Sequence, residues 1–571
     1  MRFQYSSTMA VFLVLLLAMT VVVIEGGIRC DTTAQEREML VEDALGSLRE
    51  SEDFQVIQGT LTFNHRQIGN PAGRYGTVSF PTWSQPLGLC KSTTFNQTSP
   101  IPFSFCNIAF TLGPRDAIVW LGCTPPPAAY FSCLSFSPVA VGEDILCLGS
   151  GHQAPPAISI LPPPQTLLSK IRSYVAFRFS PSVWFPAAEL GDPANHMTLN
   201  STGGPEDPFE KTTMVFSTGD RETARHVKRA FAKAGFPRSS SNLDVIPAEL
   251  ARFRERQETA FWVQDKSDAF AWQFRVSQFE DPEAAEAYFD QTWPVYFLRA
   301  RPEYEKRGAK PIPRPEARPR GTGQDEAYLH PSLDKLEEEI IVAYASKGSK
   351  LSYRFPMDHI VPDIERCLTD PQYAPIFKPV PAWHFPGWPS CDWFSADALY
   401  TGLPDTTDLS ALTFPTNRTF VVMGVNQPRL QKSIYSNLML TAVAHFEDPA
   451  HSVNLTATEL QGSASMFAPE LEYSDDVWAY SFSRDCASGQ LGLGGPLYCR
   501  TVTPSMINET EFLFVVERKY LELATKTGPA PAEVMPPLVL VFDKMEEEED
   551  SMLGEGMREE DLSRPALRRR I

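Results

Sequence analysis

The residues best equipped for chemistry crowd into one short stretch. Pro381 to Trp393 reads PAWHFPGWPSCDW, so Trp383, His384, Phe385, Trp388 and Trp393 fall within eleven residues, with Asp392 among them and Asp397 just beyond. Exposed aromatic rings stack on sugar faces, and a carboxylate pair can supply the acid and base of glycosidic cleavage. His384, Asp392 and Asp397 are therefore the candidate catalytic residues. The bland alternative is packing: proline and a bridged cysteine can lock tryptophans into a small satellite core, where they are mostly found buried. Packing is the more ordinary outcome, yet this remains the best local lead.

Three other histidines have acidic neighbours: His196 follows Asp192, His359 lies between Asp358 and Asp363, and His445 precedes Glu447 and Asp448. A carboxylate can hold an imidazole as a base or a metal ligand. In a chain with 70 acidic residues, however, such neighbours also arise from composition alone. The nucleophile elbow G-x-S-x-G is absent; Gly149-Ser150-Gly151-His152 and Gly462-Ser463-Ala464-Ser465 come nearest and read as turns. No H-E-x-x-H, no glycine-rich phosphate loop with lysine and no G-x-G-x-x-G occurs, which disfavours zinc proteolysis and nucleotide chemistry. Cofactor and metal stay undefined at this level.

The elements that must position these residues are partly legible. Residues 31–53 read as a helix or helical hairpin with Met39, Leu40, Ala44, Leu45 and Leu48 on its apolar stripe. Residues 54–150 read as short strands between turns, broken by Pro125 to Pro127; the later groups Pro155-Pro156 and Pro162 to Pro164 read as stiff surface loop. Tyr174–Phe179 and Thr212–Ser217 are strand candidates. After the second, Asp220 caps a helix from Arg221 to Ala234 that Gly235 ends, and Leu243–Ile246 returns as a strand to complete β-α-β. Phe270, Trp272, Phe274 and Val276 alternate as a strand with one buried face, followed by a helix opened by Asp281-Pro282 and an extended Val295–Arg299. Farther on, a helix is expected over Pro331–Ala345 and strands at Phe420–Val425, Val477–Phe482, Phe512–Val516 and Leu538–Phe542. Thr212–Ser217 and Phe420–Gly424 share a following polar turn, a likeness too short to establish a duplication.

The expected fold is α/β or α+β, with mixed sheets, packed helices, two or more domains, and disulfides in the N- and C-terminal parts. The expected divisions are a signal peptide over 1–26, a Cys-rich region of short strands over 27–165, and an α/β domain over 166–300. A Pro- and charge-rich linker over 301–330 follows and is a candidate proteolysis site. A mixed C-terminal domain over 331–545 and a charged tail over 546–571 complete the chain.

Compartment is the firmest expectation. Arg2 precedes an uncharged, almost wholly apolar run from Met9 to Ile24 that breaks at Glu25-Gly26-Gly27, as in a cleavable leader. An uncleaved anchor is the competitor, but the run falls short of the about 20 residues a span needs. Asn-x-Ser/Thr sequons begin at Asn96, Asn200, Asn417, Asn454 and Asn508. The ten cysteines would all remain after cleavage at Gly26; six lie before residue 150 and four after 365. Full pairing as three N-terminal and two C-terminal bridges is the simplest allocation, with Cys486–Cys499 the preferred local pair. A formal charge of −19 argues against nucleic acid. A glycan or protein partner is expected, and no membrane unless the leader is retained. The sequence thus reads as a soluble secretory-pathway glycoprotein, secreted or lumenal. An enzyme, specifically a glycan-directed hydrolase, stands slightly ahead of a glycan- or protein-binding module or a structural matrix glycoprotein.

Overall fold

The computed structural model describes residues 30–63, 73–80, 109–138, 187–189, 194–246, 269–313, 315–360, 395–404, 409–442, 449–486 and 498–545. The leader, His384, Asp392, His445, Asn96, the Tyr174–Phe179 strand, the 155–164 prolines and the acidic tail lie outside them. In chain order the first half contains α1 (Ala34–Glu50), β1 (Phe54–Phe63), β2 (Gly73–Ser79), β3 (Ala109–Thr111), β4 (Ala117–Cys123), β5 (Ala128–Pro138), β6 (Ala187–Glu189) and β7 (Ala194–Asn195). It continues with β8 (Thr212–Thr218), α2 (Arg221–Lys233), β9 (Ser241–Val245), β10 (Ala269–Phe279), α3 (Pro282–Phe289) and β11 (Trp293–Ala300). After α4 (Pro302–Glu305) come α5 (His330–Ala345), β12 (Ser349–Ile360), β13 (Ala398–Pro404), β14 (Arg418–Val425), β15 (Tyr435–Ala442) and β16 (Ser452–Thr456). The chain then forms α6 (Ala457–Leu460), β17 (Val477–Ser483), β18 (Cys499–Thr501), β19 (Leu513–Tyr520) and β20 (Leu538–Lys544).

Local chemistry explains the helix ends. Thr33 and Glu36 form a reciprocal capping box on α1, Asp220 accepts the Thr223 amide at the start of α2, and Asp281 with Pro282 opens α3. Gly235 stops the second helix at φ +103°, a conformation that costs glycine little.

The strands build two sheets of one design. The first runs β6-β5-β10-β2-β1-β11-β4-β8-β9 and the second β16-β15-β19-β13-β12-β20-β14-β17-β18. Each strand of the first path maps onto one strand of the second, in order, along the chain as well as across the sheet; β3, paired with β10, and β7, paired with β5, have no counterpart among the described strands. In both, the described pairs are antiparallel except the last, β8–β9 and β17–β18. The architecture is therefore duplicated, though not in the register that the short likeness suggests. Thr212–Thr218 (β8) corresponds to Val477–Ser483 (β17), whereas Arg418–Val425 (β14) corresponds to Ala117–Cys123 (β4). Two central strands look alike because both are buried on both faces, which makes composition a poor guide to position.

Helices cover one face of each sheet. Val41, Leu45 and Leu48 of α1 and Val227 and Phe231 of α2 pack on Val119, Met214, Phe216 and Leu298. Leu336, Ile340 and Tyr344 of α5, helped by Phe467 and Leu471, pack on Val421, Met423, Ala479 and Leu540. The opposite faces carry further cores, around Trp120, Phe131, Phe274 and Trp293 in one and Phe420, Leu438, Trp478 and Phe482 in the other.

The proline-rich segment after β11 is fastened to both halves. Arg115, nearly inaccessible, donates to the Tyr304 carbonyl at 2.8 Å, lies 3.5 Å from the Tyr304 ring centre, and pairs with Asp220 and Glu222. Asp220 in turn accepts the Lys310 amide at 2.6 Å. Farther along, Arg318 and Arg320 donate to the carbonyls of Lys526 and Ala396, while Glu533 accepts the amides of Thr322 and Gly323 and pairs with Lys432. Composition denies this segment a core of its own, but it borrows hydrogen bonds from both neighbours.

Among the described residues two bridges are present, Cys30–Cys123 and the expected Cys486–Cys499. Full pairing does not hold, because Cys133 is a free thiol. It lies on β5 among the apolar side chains around Phe131 and Trp272, and burial pushes its pKa well up, which keeps it protonated and inert.

Candidate functional site at the junction of the two halves

The two sheets meet through equivalent strands, β5-β10-β2 of one and β15-β19-β13 of the other. On β10, Arg275 has Tyr75 and Ser132 as its cross-strand neighbours. On β19, Arg518 has Tyr400 and Asn437. Each guanidinium lies over its neighbouring tyrosine, 5.7 Å from the Tyr75 ring centre and 6.0 Å from that of Tyr400. Across the junction, Tyr130 of β5 packs on Tyr520 of β19 with ring centres 4.7 Å apart, and its counterpart Tyr435 of β15 faces Ser277 of β10. The contacts repeat under exchange of the halves, giving the junction approximate two-fold symmetry.

Asp397 lies in this junction, immediately before β13, and is fully buried. One carboxylate oxygen accepts Asn195 Nδ2 at 2.9 Å and the other accepts the Tyr130 hydroxyl at 3.3 Å. Its amide donates to Ser395 Oγ at 3.2 Å and its carbonyl accepts the Leu521 amide at 2.8 Å. Asn195 also donates to the Lys526 carbonyl at 3.1 Å, so one carboxylate and one amide tie β7 and β5 of the first half to the second. Of the three candidate catalytic residues, Asp397 is the one the structure describes; His384 and Asp392 belong to residues 361–394, which connect β12 to β13.

Burial dominates the electrostatics here. It raises the Tyr130 hydroxyl well above its ordinary pKa, with the Asp397 charge adding to the effect. Burial opposes the charge of Arg275, but the oxygens of Tyr400, Tyr75, Tyr520 and Tyr130 outweigh it and the guanidinium stays charged; its Nε also donates to Gln273 Oε1 at 3.1 Å. His196, beside this cluster, is pushed down to about 4 by burial among Tyr130, Phe131 and Phe209. His359 is likewise pushed down to about 4, by burial and then the Lys519 charge, while its Nε2 lies 2.8 Å from the Val534 carbonyl. Both imidazoles are neutral at pH 7, and Nδ1 of each lacks a hydrogen-bond partner. Ser463, in the turn nearest to an elbow pattern, donates to the Leu460 carbonyl at 2.6 Å and accepts the Ala479 amide at 3.0 Å. That is a structural hydroxyl. Among the described residues no group of three or more His, Cys, Asp or Glu could hold a metal ion.

The two arginines escape sequence reasoning because alternation on β10 assigns Arg275 to a solvent face. The faint signal is Arg with a serine or aromatic two residues away, Arg275/Ser277 and Arg518/Tyr520, on strands otherwise rich in apolar residues.

No protein-family model and no curated protein sequence matches this chain. Among solved structures it is similar to the crystal structure of an uncharacterised protein from Burkholderia cenocepacia, at 10% identity and a TM-score of 0.33, covering 89% of this chain and 87% of that one. Among the described residues no helix is long and apolar enough to cross a membrane.

Proposed function

We propose that this chain is a secreted or lumenal glycoprotein that works by binding a glycan or protein partner on a rigid, duplicated body. The observation that carries the binding reading is the state of Asp397: both its oxygens are committed to Asn195 and Tyr130 inside the junction, away from solvent. A carboxylate so placed holds the halves together and is not presented to a substrate. Export draws support from a different quarter. Asn200, Asn417 and Asn508 are exposed, as glycan acceptors must be, and Cys30–Cys123 and Cys486–Cys499 suit an oxidising compartment. Asn454 is less suited, since its Oδ1 accepts Asn437 Nδ2 at 2.6 Å on the neighbouring strand.

The glycan-directed hydrolase is the second reading, carried by the aromatic segment with His384 and Asp392. One experiment addresses both. The full chain, expressed through a eukaryotic secretory pathway, is screened on a glycan array and against the same glycans for hydrolysis. Binding without turnover, unchanged in His384→Ala and Asp392→Asn, is the expected result. Turnover abolished by those two substitutions would replace the binding reading with the hydrolase.

A further inference from the structure

Asn200 stands at the rim of a groove of about 530 Å3, within the about 300–1,000 Å3 of ordinary small-molecule sites. Its walls are Pro205 and Pro237, and its remaining lining is Ser201, Thr202, Gly203, Gly204, Ser239 and Ser240. Among the described residues no charged side chain lines it, so the chemistry suits a neutral, hydroxyl-rich ligand rather than a phosphate or a carboxylate. Proline rings offer apolar faces to the C–H side of a sugar, while serine hydroxyls answer its oxygens. Ser201 is 5% exposed, and its hydroxyl has no hydrogen-bond partner. That oxygen is itself closed off from solvent, so the serine the groove offers an occupant is the exposed Ser239.

The backbone around Asn200 is fixed while its side chain is exposed. Its amide donates to Asn242 Oδ1 at 2.7 Å, and its carbonyl accepts Asn242 Nδ2 at 2.8 Å and Thr213 Oγ1 at 2.7 Å. The side chain therefore projects from a rigid support beside the groove. Asn200-Ser201-Thr202 is also a sequon.

We propose that an N-linked glycan on Asn200 lies in this groove, its first sugars seated between Pro205 and Pro237 and beside Ser239. The proposal rests on the secretory reading given above. In the attachment step Asn200 Nδ2 loses a proton and bonds to C1 of the first sugar, whose polyprenyl diphosphate departs; the co-reactant is the lipid-linked oligosaccharide of the secretory pathway.

The test is glycopeptide mass spectrometry on the full chain from a eukaryotic secretory host, followed by a time course of endoglycosidase release on the folded protein. A seated glycan is released only when the groove opens transiently, so the Asn200 glycan should leave roughly tenfold more slowly than those on Asn417 and Asn508. After denaturation all should leave alike. Ser239→Trp, at an exposed position, fills the groove and should bring the Asn200 rate up to the others without loss of secretion. Equal release rates in the unaltered protein, or an empty Asn200 beside an occupied Asn417 or Asn508, overturn the seat and leave the secretory reading standing. A chain that occupies no sequon and stays inside the cell overturns both. Saturable binding of free N,N′-diacetylchitobiose to Asn200→Gln, abolished by Ser239→Trp, would assign the groove to an external sugar instead.

Discussion

The two halves share a strand order but cover it differently. In the first, α2 crosses between the parallel strands β8 and β9 and joins α1 over the sheet. In the second, the connection from β17 to β18 is closed by Cys486–Cys499, and the place over the sheet is filled by α5 with Ala464, Phe467, Ala468 and Leu471. A sheet requires that its apolar face be buried, and is indifferent to which segment does it. Strand order is therefore retained across the duplication while the cover has diverged.

The bridges offer the largest test of this contrast. Cys30–Cys123 spans 93 residues and ties the start of α1 to the end of β4, whereas Cys486–Cys499 spans 13. By loop length alone their removal should cost about 4.6 and about 3 kcal/mol respectively. Urea unfolding of the paired serine variants reads this; a larger loss in the second half would mean that its short loop does the covering work of a helix.

The junction makes a sharper demand. If it is two-fold in energy as well as geometry, Arg275→Ala and Arg518→Ala should each cost about 3 kcal/mol, since both leave a hole among buried tyrosines. Denaturant midpoints of the two variants should nearly coincide. A gap above about 2 kcal/mol would show that the symmetry is one of shape only.

Gly122 and Gly424 supply a finer pair. Each faces the second residue of the next strand, Thr213 of β8 and Trp478 of β17. A Cβ at Gly122 would collide with the Trp120 indole, and one at Gly424 would come within 2.9 Å of the Trp478 indole. Equivalent positions thus lie under a tryptophan, although the ring comes from the same strand in one half and from the neighbour in the other. Alanine at each should lower stability by about 2 kcal/mol, the Gly122 variant more, as thermal unfolding would register.

The smallest effects concern pH. Burial raises Asp116 to about 6 in the first half and Glu326, at the end of the proline-rich segment, to about 7. A carboxyl whose pKa is higher folded than unfolded gives stability below its unfolded pKa and loses it as pH rises through the folded one. For Glu326 the window runs from about 4.5 to about 7. His196 and His359 act oppositely, losing stability as pH falls from 6.5 toward about 4. Glu326→Gln should raise stability by about 2 kcal/mol at pH 7.5 and change little at pH 4.5. Equal effects at both pH values would remove Glu326 from the titration.

Much of the local order was legible. Asp220 and Asp281 announce helix starts, Gly235 a stop, and the period of Trp272, Phe274 and Val276 a strand, because caps and alternation are short-range demands that the chain writes at fixed spacing. The serine-rich groove was visible only as a sequon, since Pro205 and Pro237 are brought together by β8 and α2 lying between them. The aromatic segment shows the reverse limit. Its composition drew attention to Asp397, but composition carries no information on what a carboxylate faces.

By itself the sequence determined the helices after Asp220 and Asp281, the alternating strand around Trp272 and the Cys486–Cys499 pair, all of which depend on neighbours within a few turns of chain. Tertiary structure alone decided the duplication, the free state of Cys133 and the burial of Arg275, Arg518 and Asp397. Those depend on which strands meet across hundreds of residues, where a side chain's role is set by the partners that packing delivers.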